Sequence, residues 1–202
     1  MGKIEQNKER KRQAILGAAL EIFISEGYMN TSMDKIAEKA QVTKQTVYRY
    51  FPSKEQLFKE TLQKIGENSE FGFLTNLEID NSEAALLGFA KGFVAAHLHP
   101  DHLATFRLLI TENNQVPGMT EVFHGVGADN TELALVDFFK ERLLIPEPAD
   151  LIHMWTGMLL SLRTEVLMGR PLPSSQQIEA YAEQATHFLI AALSNTAAYH
   201  HS

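Results

Sequence analysis

The chain of 202 residues has no cysteine, which excludes disulfide staples, thiolate catalysis and cysteine-based zinc sites. A reducing cytoplasm accords with that absence, and the cytoplasm is the expected location. No apolar run is long enough to cross a bilayer, so no membrane partner is expected, and a hydrophobic content of 45% suits a soluble globular chain. Nor is a signal peptide expected, since the first twelve residues are rich in charge and the apolar positions after them recur at helical intervals. No serine sits in a nucleophile-elbow context and no HExxH occurs. Gly125-x-Gly127 has neither the preceding strand nor the following lysine of a phosphate cradle. An enzyme and a cofactor are therefore not expected.

Acidic residues outnumber basic ones, 25 to 18, which at first argues against a nucleic-acid partner. The imbalance is not uniform. Residues 1–60 hold 11 Lys and Arg against 8 Asp and Glu, a balance of +3, while residues 61–202 hold 7 against 17, a balance of −10. This asymmetry marks a boundary, with a basic head at 1–60 and an acidic body at 61–202. An acidic body repels DNA and leaves only the head to approach it.

Carboxylates are also missing from 41–52, within the stretch 31–58 around which the chain is organised. Thr31 or Ser32 can cap a helix, and Asp34, three residues after Thr31, completes a reciprocal capping pattern. Ile36, Ala37 and Ala40 share a stripe whose small members permit a close helix crossing. Gln41-Val42-Thr43 has the length of a tight turn, and Thr43 can cap a helix at 44–50 with Val47 and Phe51 facing inward. Thr43, Lys44, Gln45, Thr46, Tyr48, Arg49 and Tyr50 then face out, a donor-rich surface suited to phosphate oxygens and base edges. Pro52 ends the helix, Ser53 with Gln56 caps the next, and Lys54 falls where a backbone phosphate is in reach.

Gly27-Tyr28, Thr31-Ser32, Ile36-Ala37, Val42-Thr43, Tyr48-Arg49-Tyr50-Phe51 and Ser53-Lys54-Glu55-Gln56-Leu57-Phe58 follow one another at a spacing that closely resembles the DNA-binding region of TetR-type transcriptional regulators. The resemblance covers about a quarter of the chain. It implies an all-α fold, in which a three-helix helix-turn-helix head precedes a helical ligand-binding and dimerisation body. It also implies that Thr43, Lys44, Gln45, Thr46 and Tyr48 contact double-stranded operator DNA, with Thr31, Tyr50 and Lys54 on its backbone. A twofold dimer fits the chemistry, because one short recognition helix reads too few bases alone. The function implied is a ligand-responsive repressor on a palindromic operator. The rival is a ligand-binding or adaptor protein whose head binds other proteins.

The remaining chain reads as helices. Five cations between Lys3 and Arg12 suggest either a flexible arm touching DNA or a solvated helix start. Ile15, Ala18, Ala19, Ile22 and Phe23 form a helical stripe that Gly27 ends. Helices are predicted at 54–65, as the one covalent link between head and body, then from 81 or 82 to 98, and at 100–113, 117–123 and 131–144. Residues 66–80 read as a fraying helix end or loop. A helix at 151–168, apolar nearly all round, and a second at 174–194 with Ile178, Tyr181, Ala185, Phe188 and Ala192 in steps of three or four, are the expected homodimer interface. The tail from Asn195 reads as disordered.

His97, His99 and His102 invite a zinc reading, but they straddle Pro100 and no further ligand completes a set, so no metal is expected. The family resemblance implies a pocket in the body. Phe93, Phe106, Phe123, Phe138, Trp155, Met154 and Met158 can line one for an apolar or aromatic small molecule, with His97, Asn113, Thr156 or Arg163 as its polar contacts. Plain core packing is the alternative for each of them. Arg163 and Glu165 can instead form an interface pair.

Overall fold

The structure is a computed structural model that describes residues 2–112 and 129–199, and the side chains among them other than those of 65–71, 129 and 195–199. The described residues contain helices and no strand. The helices predicted at 117–123, the loop at Gly125 to Gly127, Asn113 and Phe123 lie outside the described residues. Two compact units are formed, Met1–Gly66 with Ala104–Val126 and Glu67–Leu103 with Gly127–Ser202. The chain thus passes between them after Gly66, again within one helix after Leu103, and again after Val126. The sequence suggested a single link.

In the first unit, α1 (Lys3–Glu26) buries Ile15, Leu16, Ala18, Ala19, Ile22 and Phe23. Its basic start is already helical from Lys3 rather than a flexible arm, and residues 3–11 are exposed. Gly27 closes α1 at φ 84°, in the left-handed half of φ that L side chains avoid. A Cβ there would also lie 2.6 Å from Glu112 Oε1. Helices α2 (Met33–Lys39) and α3 (Lys44–Tyr50) follow, then α4 (Lys54–Leu74). Phe23, Tyr28 and Phe58 meet with ring centroids 4.9 to 5.7 Å apart, and Val47, Phe51, Leu57 and Leu62 complete the core. Leu108 and Leu109 of α6 (Pro100–Glu112) are buried in this same cluster.

In the second unit, α4 continues nine residues beyond its predicted end at 65 and passes into a 3-10 turn, Thr75–Glu78. The side chain of Phe73 explains why the helix persists. Phe73 is 2% exposed and meets Phe89 and Phe93 of α5 (Ser82–His97) edge-on at 5.4 and 5.5 Å. Gly88 and Gly92, one helical turn apart, make this crossing possible. A Cβ on Gly92 would stand 2.6 Å from Phe73 Cβ and 3.2 Å from its Cα, and one on Gly88 would stand 2.7 Å from Asn76 Oδ1. Gly92→Ala must displace backbone, and about 1–3 kcal/mol of destabilisation is expected; an unchanged thermal midpoint would show that the crossing can widen freely.

Helix α7 (Asp129–Arg142) ends on Arg142, whose guanidinium donates to the carbonyls of Leu77 (2.9 Å), Ile79 (2.7 Å) and Asp80, and lies 4.9 Å from the Phe138 ring centre. The helix predicted at 151–168 is broken into α8 (Ala149–Leu159) and α9 (Ser161–Leu167). The cause is a side chain inserted into the backbone ladder, since the Tyr181 hydroxyl donates to the Met158 carbonyl at 2.8 Å and also meets Ser161. Gly169, at φ 100°, ends α9 with bonds from Arg170 N–H to Glu165 O and from Gly169 N–H to Val166 O. Helix α10 (Ser175–Tyr199) runs past the predicted start of disorder at Asn195. Its buried side carries Ala182, Ala185, Thr186 and Leu189, whose small residues let it lie close on α5. Phe188, which shares a period with that stripe, is instead 74% exposed.

Candidate nucleic-acid interface and effector site

The turn between α2 and α3 fixes how the second helix is presented. Gln41 adopts φ 54°, Val42 N–H reaches Ala37 O at 3.0 Å, and Gln41 N–H reaches Glu38 O at 3.0 Å. This pair of bonds around a left-handed residue closes a helix C-terminus without glycine. Two residues on, Thr43 caps α3: its hydroxyl accepts from Thr46 N–H at 3.2 Å and lies 2.9 Å from the Thr46 hydroxyl. Val47 and Phe51 are fully buried. Thr43, Lys44, Gln45, Tyr48 and Arg49 are exposed as predicted, while Thr46 and Tyr50 are half-buried, Tyr50 packing against the head core with Arg49 over its ring.

Two residues expected on the DNA backbone stand elsewhere. Thr31 is 3% exposed, its hydroxyl donating to Gly27 O at 2.7 Å and its N–H to Tyr28 O at 3.3 Å, so it has no group left to offer a phosphate. The α2 cap is Ser32, which accepts from Lys35 N–H, so the pattern read from Thr31 and Asp34 does not form. The Lys54 ammonium donates to the carbonyls of Tyr28 (2.8 Å), Thr31 (3.0 Å) and Met29 (3.4 Å) and sits 4.4 Å from the Tyr28 ring centre. Burial holds its pKa below the usual lysine value, against the opposing pull of Glu112. It stitches α4 to the loop before α2. Sequence spacing alone does not distinguish a lysine facing phosphate from one facing carbonyls.

Asp34, expected from the sequence to complete the cap of α2, instead faces the start of α3. Its carboxylate holds Lys44 Nζ at 2.8 to 2.9 Å, and this hydrogen bond raises the Lys44 pKa. The pair is exposed, so it competes only weakly with a phosphate. Asp34→Asn frees Lys44 and removes a negative charge from the DNA-facing side. Binding to any duplex is expected to tighten roughly threefold to tenfold at low salt, with the gain shrinking as salt rises.

The head's helices are braced by Arg12 with Glu60, Lys35 with Glu26, and Lys39 with Glu21 at 2.7 Å. Arg12 also lies 5.8 Å from the Phe51 ring centre.

In the second unit Phe89, Phe93 and His97 fall four residues apart on α5 and line up ring to ring: Phe89 to Phe93 at 5.3 Å, Phe93 to His97 at 4.1 Å, and His97 to His102 at 4.5 Å. Trp155 joins the far end, 5.5 Å from Phe89 and 6.3 Å from Phe139. His97 Nδ1 is 2.8 Å from Phe93 O; a carbonyl only accepts, so this nitrogen carries the proton. Burial, then neighbouring His102, pushes the His97 pKa down to about 3; burial and the Arg163 charge push His102 down to about 4. Burial alone brings Arg163 down to about 10. Both imidazoles are neutral at physiological pH. His99 is exposed beside Asp101 at 3.8 Å, outside the ring-to-ring contact of His97 with His102. Trp155 is fully buried, and among the described residues no hydrogen-bond partner meets its Nε1–H.

Of the expected pocket residues, Phe93, Phe138 and Trp155 are buried in the core of this unit with half-buried Met158 packed against it, and His97 stands at its polar end. Phe106 falls on the part of α6 that belongs to the first unit. Gly88 and Gly92 were missed, although their spacing on an apolar helix was the available signal.

Comparison with known proteins places these features. Residues 15–61 match the family model described as bacterial regulatory proteins, tetR family. The regulator RutR of Escherichia coli K12 is 42% identical over 186 residues, covering 91% of this chain and 80% of RutR. The chain belongs to the TetR family. Two solved structures share the fold over about nine-tenths of the chain. A TetR-family regulator from Mesorhizobium loti superposes with a TM-score of 0.79 at 26% identity, covering 92% of this chain and 97% of that one. The flavonoid-responsive regulator FrrA does so with a TM-score of 0.77 at 27% identity, covering 91% and 97%. The chain spans less of SrpR and TtgW of Pseudomonas putida, 37% and 57% of their lengths. As a TetR-family member, the protein is a DNA-binding transcriptional regulator whose α2 and α3 form the helix-turn-helix.

Proposed function

We propose that this protein is a cytoplasmic, ligand-responsive repressor that binds a palindromic operator as a homodimer. The observation that carries the reading is the outward face of α3, exposed, rich in donors and free of carboxylates from Gln41 to Pro52. Thr43, Lys44, Gln45, Thr46 and Tyr48 are the proposed contacts, with Arg49 beside them and Tyr50 at the edge. Thr31 and Lys54 act by positioning the loop before α2.

Dimerisation is assigned to α8, α9 and α10. Phe188 on α10 is 74% exposed and Met154 on α8 is 58% exposed, and a second copy of this acidic body is the natural cover for such side chains. Two recognition helices then meet half-sites ~34–36 Å apart or a multiple of that spacing. The effector is assigned to the body, against Phe93, His97, Phe138, Trp155 and Met158. An aromatic effector suits these walls, and the flavonoid-responsive relative lends the class further support. Effector coupling of ~1–3 kcal/mol is enough to release the operator.

Fluorescence anisotropy against the DNA upstream of the gene, beside scrambled DNA at equal salt, tests the reading. Tight binding to the native sequence is expected, and Tyr48→Ala should lose about 1–3 kcal/mol of it while remaining a folded dimer. Equal, weak binding of native protein to every sequence in a random-DNA selection would sink the regulator assignment.

A further inference from the structure

DNA affinity at physiological salt draws heavily on phosphate contacts, and those need cations that are free to make them. Few are free in the helix-turn-helix itself. Of the cations between Thr31 and Lys54, Lys35 is paired with Glu26, Lys39 with Glu21 and Lys44 with Asp34, while Lys54 is held by carbonyls. Among the described residues only Arg49 of this set meets neither a carboxylate nor a carbonyl; it lies over the Tyr50 ring. The free positive charge of the head sits instead on α1. Lys3, Lys8, Arg10 and Lys11 are exposed, and no carboxylate among the described residues pairs with them. At 3.6 residues per turn these four fall on one half of the helix circumference with Asn7 between them, and Glu5 and Glu9 fall on the other half. Lys3, Gln6, Asn7 and Arg10 border a shallow open cleft, a rim of two cations and two amides.

This face is already built. Gln13 donates to Glu9 at 2.7 Å and Arg10 to Asn7 at 2.8 Å along a continuous helix, so no segment has to be ordered when a partner arrives. It is also fixed to the head. Arg12 pairs with Glu60 of α4 and lies 5.8 Å from the ring centre of Phe51, the residue that closes α3. From that anchor back to Lys3 the helix extends about 13 Å, the axial rise of about four base pairs.

We propose that the basic face of α1 is a second DNA-contacting surface, which grips phosphates flanking the bases met by α3 and has no sequence preference of its own. This rests on α3 as the reading helix, and it adds a separate surface, its chemistry and its target. The acidic body of another copy offers the same sign of charge. The anchor beside Phe51 favours DNA, because it places the face next to the end of the helix that meets the duplex.

The test variant carries Lys3→Gln, Lys8→Gln, Arg10→Gln and Lys11→Gln together, all at exposed positions that leave the core untouched. Against the DNA upstream of the gene, anisotropy should show at least tenfold weaker binding at about 0.15 M salt and a salt slope smaller by about two to four. The ratio of native to scrambled DNA should stay within about twofold, since phosphate contacts carry no sequence information. A second measurement needs no variant: replacing the phosphates of about four flanking base pairs on each side by neutral methylphosphonates should weaken the native protein by a similar factor and leave the variant unaffected. A variant with native affinity and slope, a native protein indifferent to the neutral flanks, or a collapse of the native-to-scrambled ratio would each overturn the proposal. A variant that binds DNA as the native protein does, but whose dimer dissociates more readily in sedimentation, would give the face to the acidic body of a second copy. If the native protein prefers no sequence at all, the regulator reading falls and this proposal with it; if it prefers its operator while the flanks make no difference, only this proposal falls.

Discussion

Lys54→Met is expected to destabilise the DNA-binding head by about 2–4 kcal/mol while leaving the salt dependence of operator binding unchanged. The ammonium is the shared donor of three carbonyls, those of Tyr28, Met29 and Thr31, in the loop that joins α1 to α2. Methionine keeps the stem's length and apolar contact with Tyr28 but supplies no donor. Partly buried carbonyls then lose charge-assisted bonds at once, and the loop that sets the entry of α2 loosens. Denaturant unfolding should show a lower midpoint with an unchanged slope. At a denaturant-free temperature where the variant is folded, the plot of log affinity against log salt should be parallel to the native line, because no phosphate contact is lost. Unaltered stability combined with a slope reduced by about one would return Lys54 to the DNA surface, where the sequence motif suggested it.

The second large effect is acid lability of the body. His97 and His102 have pKa values near 3 and 4 in the folded protein, against an ordinary value of 6.5. As pH falls below 6.5 the unfolded chain takes up protons that the folded chain refuses, so the unfolded state is favoured. The stability is complete above pH 6.5 and is lost as pH falls towards the folded values. Each histidine contributes a slope of about 1.4 kcal/mol per pH unit through the middle of that window, so the pair approaches 2.7. A series of unfolding curves between pH 7 and pH 4.5 should show this loss, and His97→Gln with His102→Gln should flatten it. A pH dependence of the native protein that the double variant fully retains would locate the sensitivity elsewhere, among the carboxylates.

The sequence was informative where one residue type has one job. Thr43 as a cap, Val47 and Phe51 as inward anchors, and Tyr48 as an outward ring all follow from helical spacing, and the structure has them so. It was ambiguous where one spacing serves two partners. Thr31 and Ser32 are both able to cap, and only the burial of Thr31 against Gly27 O selects Ser32. The apolar steps of α10 admit two overlapping stripes, and the one that packs inward is chosen by the close approach of Ala182 and Ala185 to α5. The break at Leu160 was illegible for a different reason. It depends on Tyr181, twenty-one residues away, capturing a carbonyl that local sequence assigns to the helix. In the second unit, the aromatic residues and histidines could be named, but which of their rings meet is a property of packing alone.

Leu108 and Leu109 lie in the core of the head although the sequence divides the chain at residue 60. The reading head is therefore not a cassette that can be cut out by sequence position. A chimaera that grafts residues 1–60 onto a foreign sensor leaves a hole where Leu108 and Leu109 of α6 had been, and whatever helix the new host brings must fill the space of those two side chains against a head it never evolved beside. Exchange of specificities between such regulators is constrained by a short segment in the middle of the chain, far from the residues that read the operator.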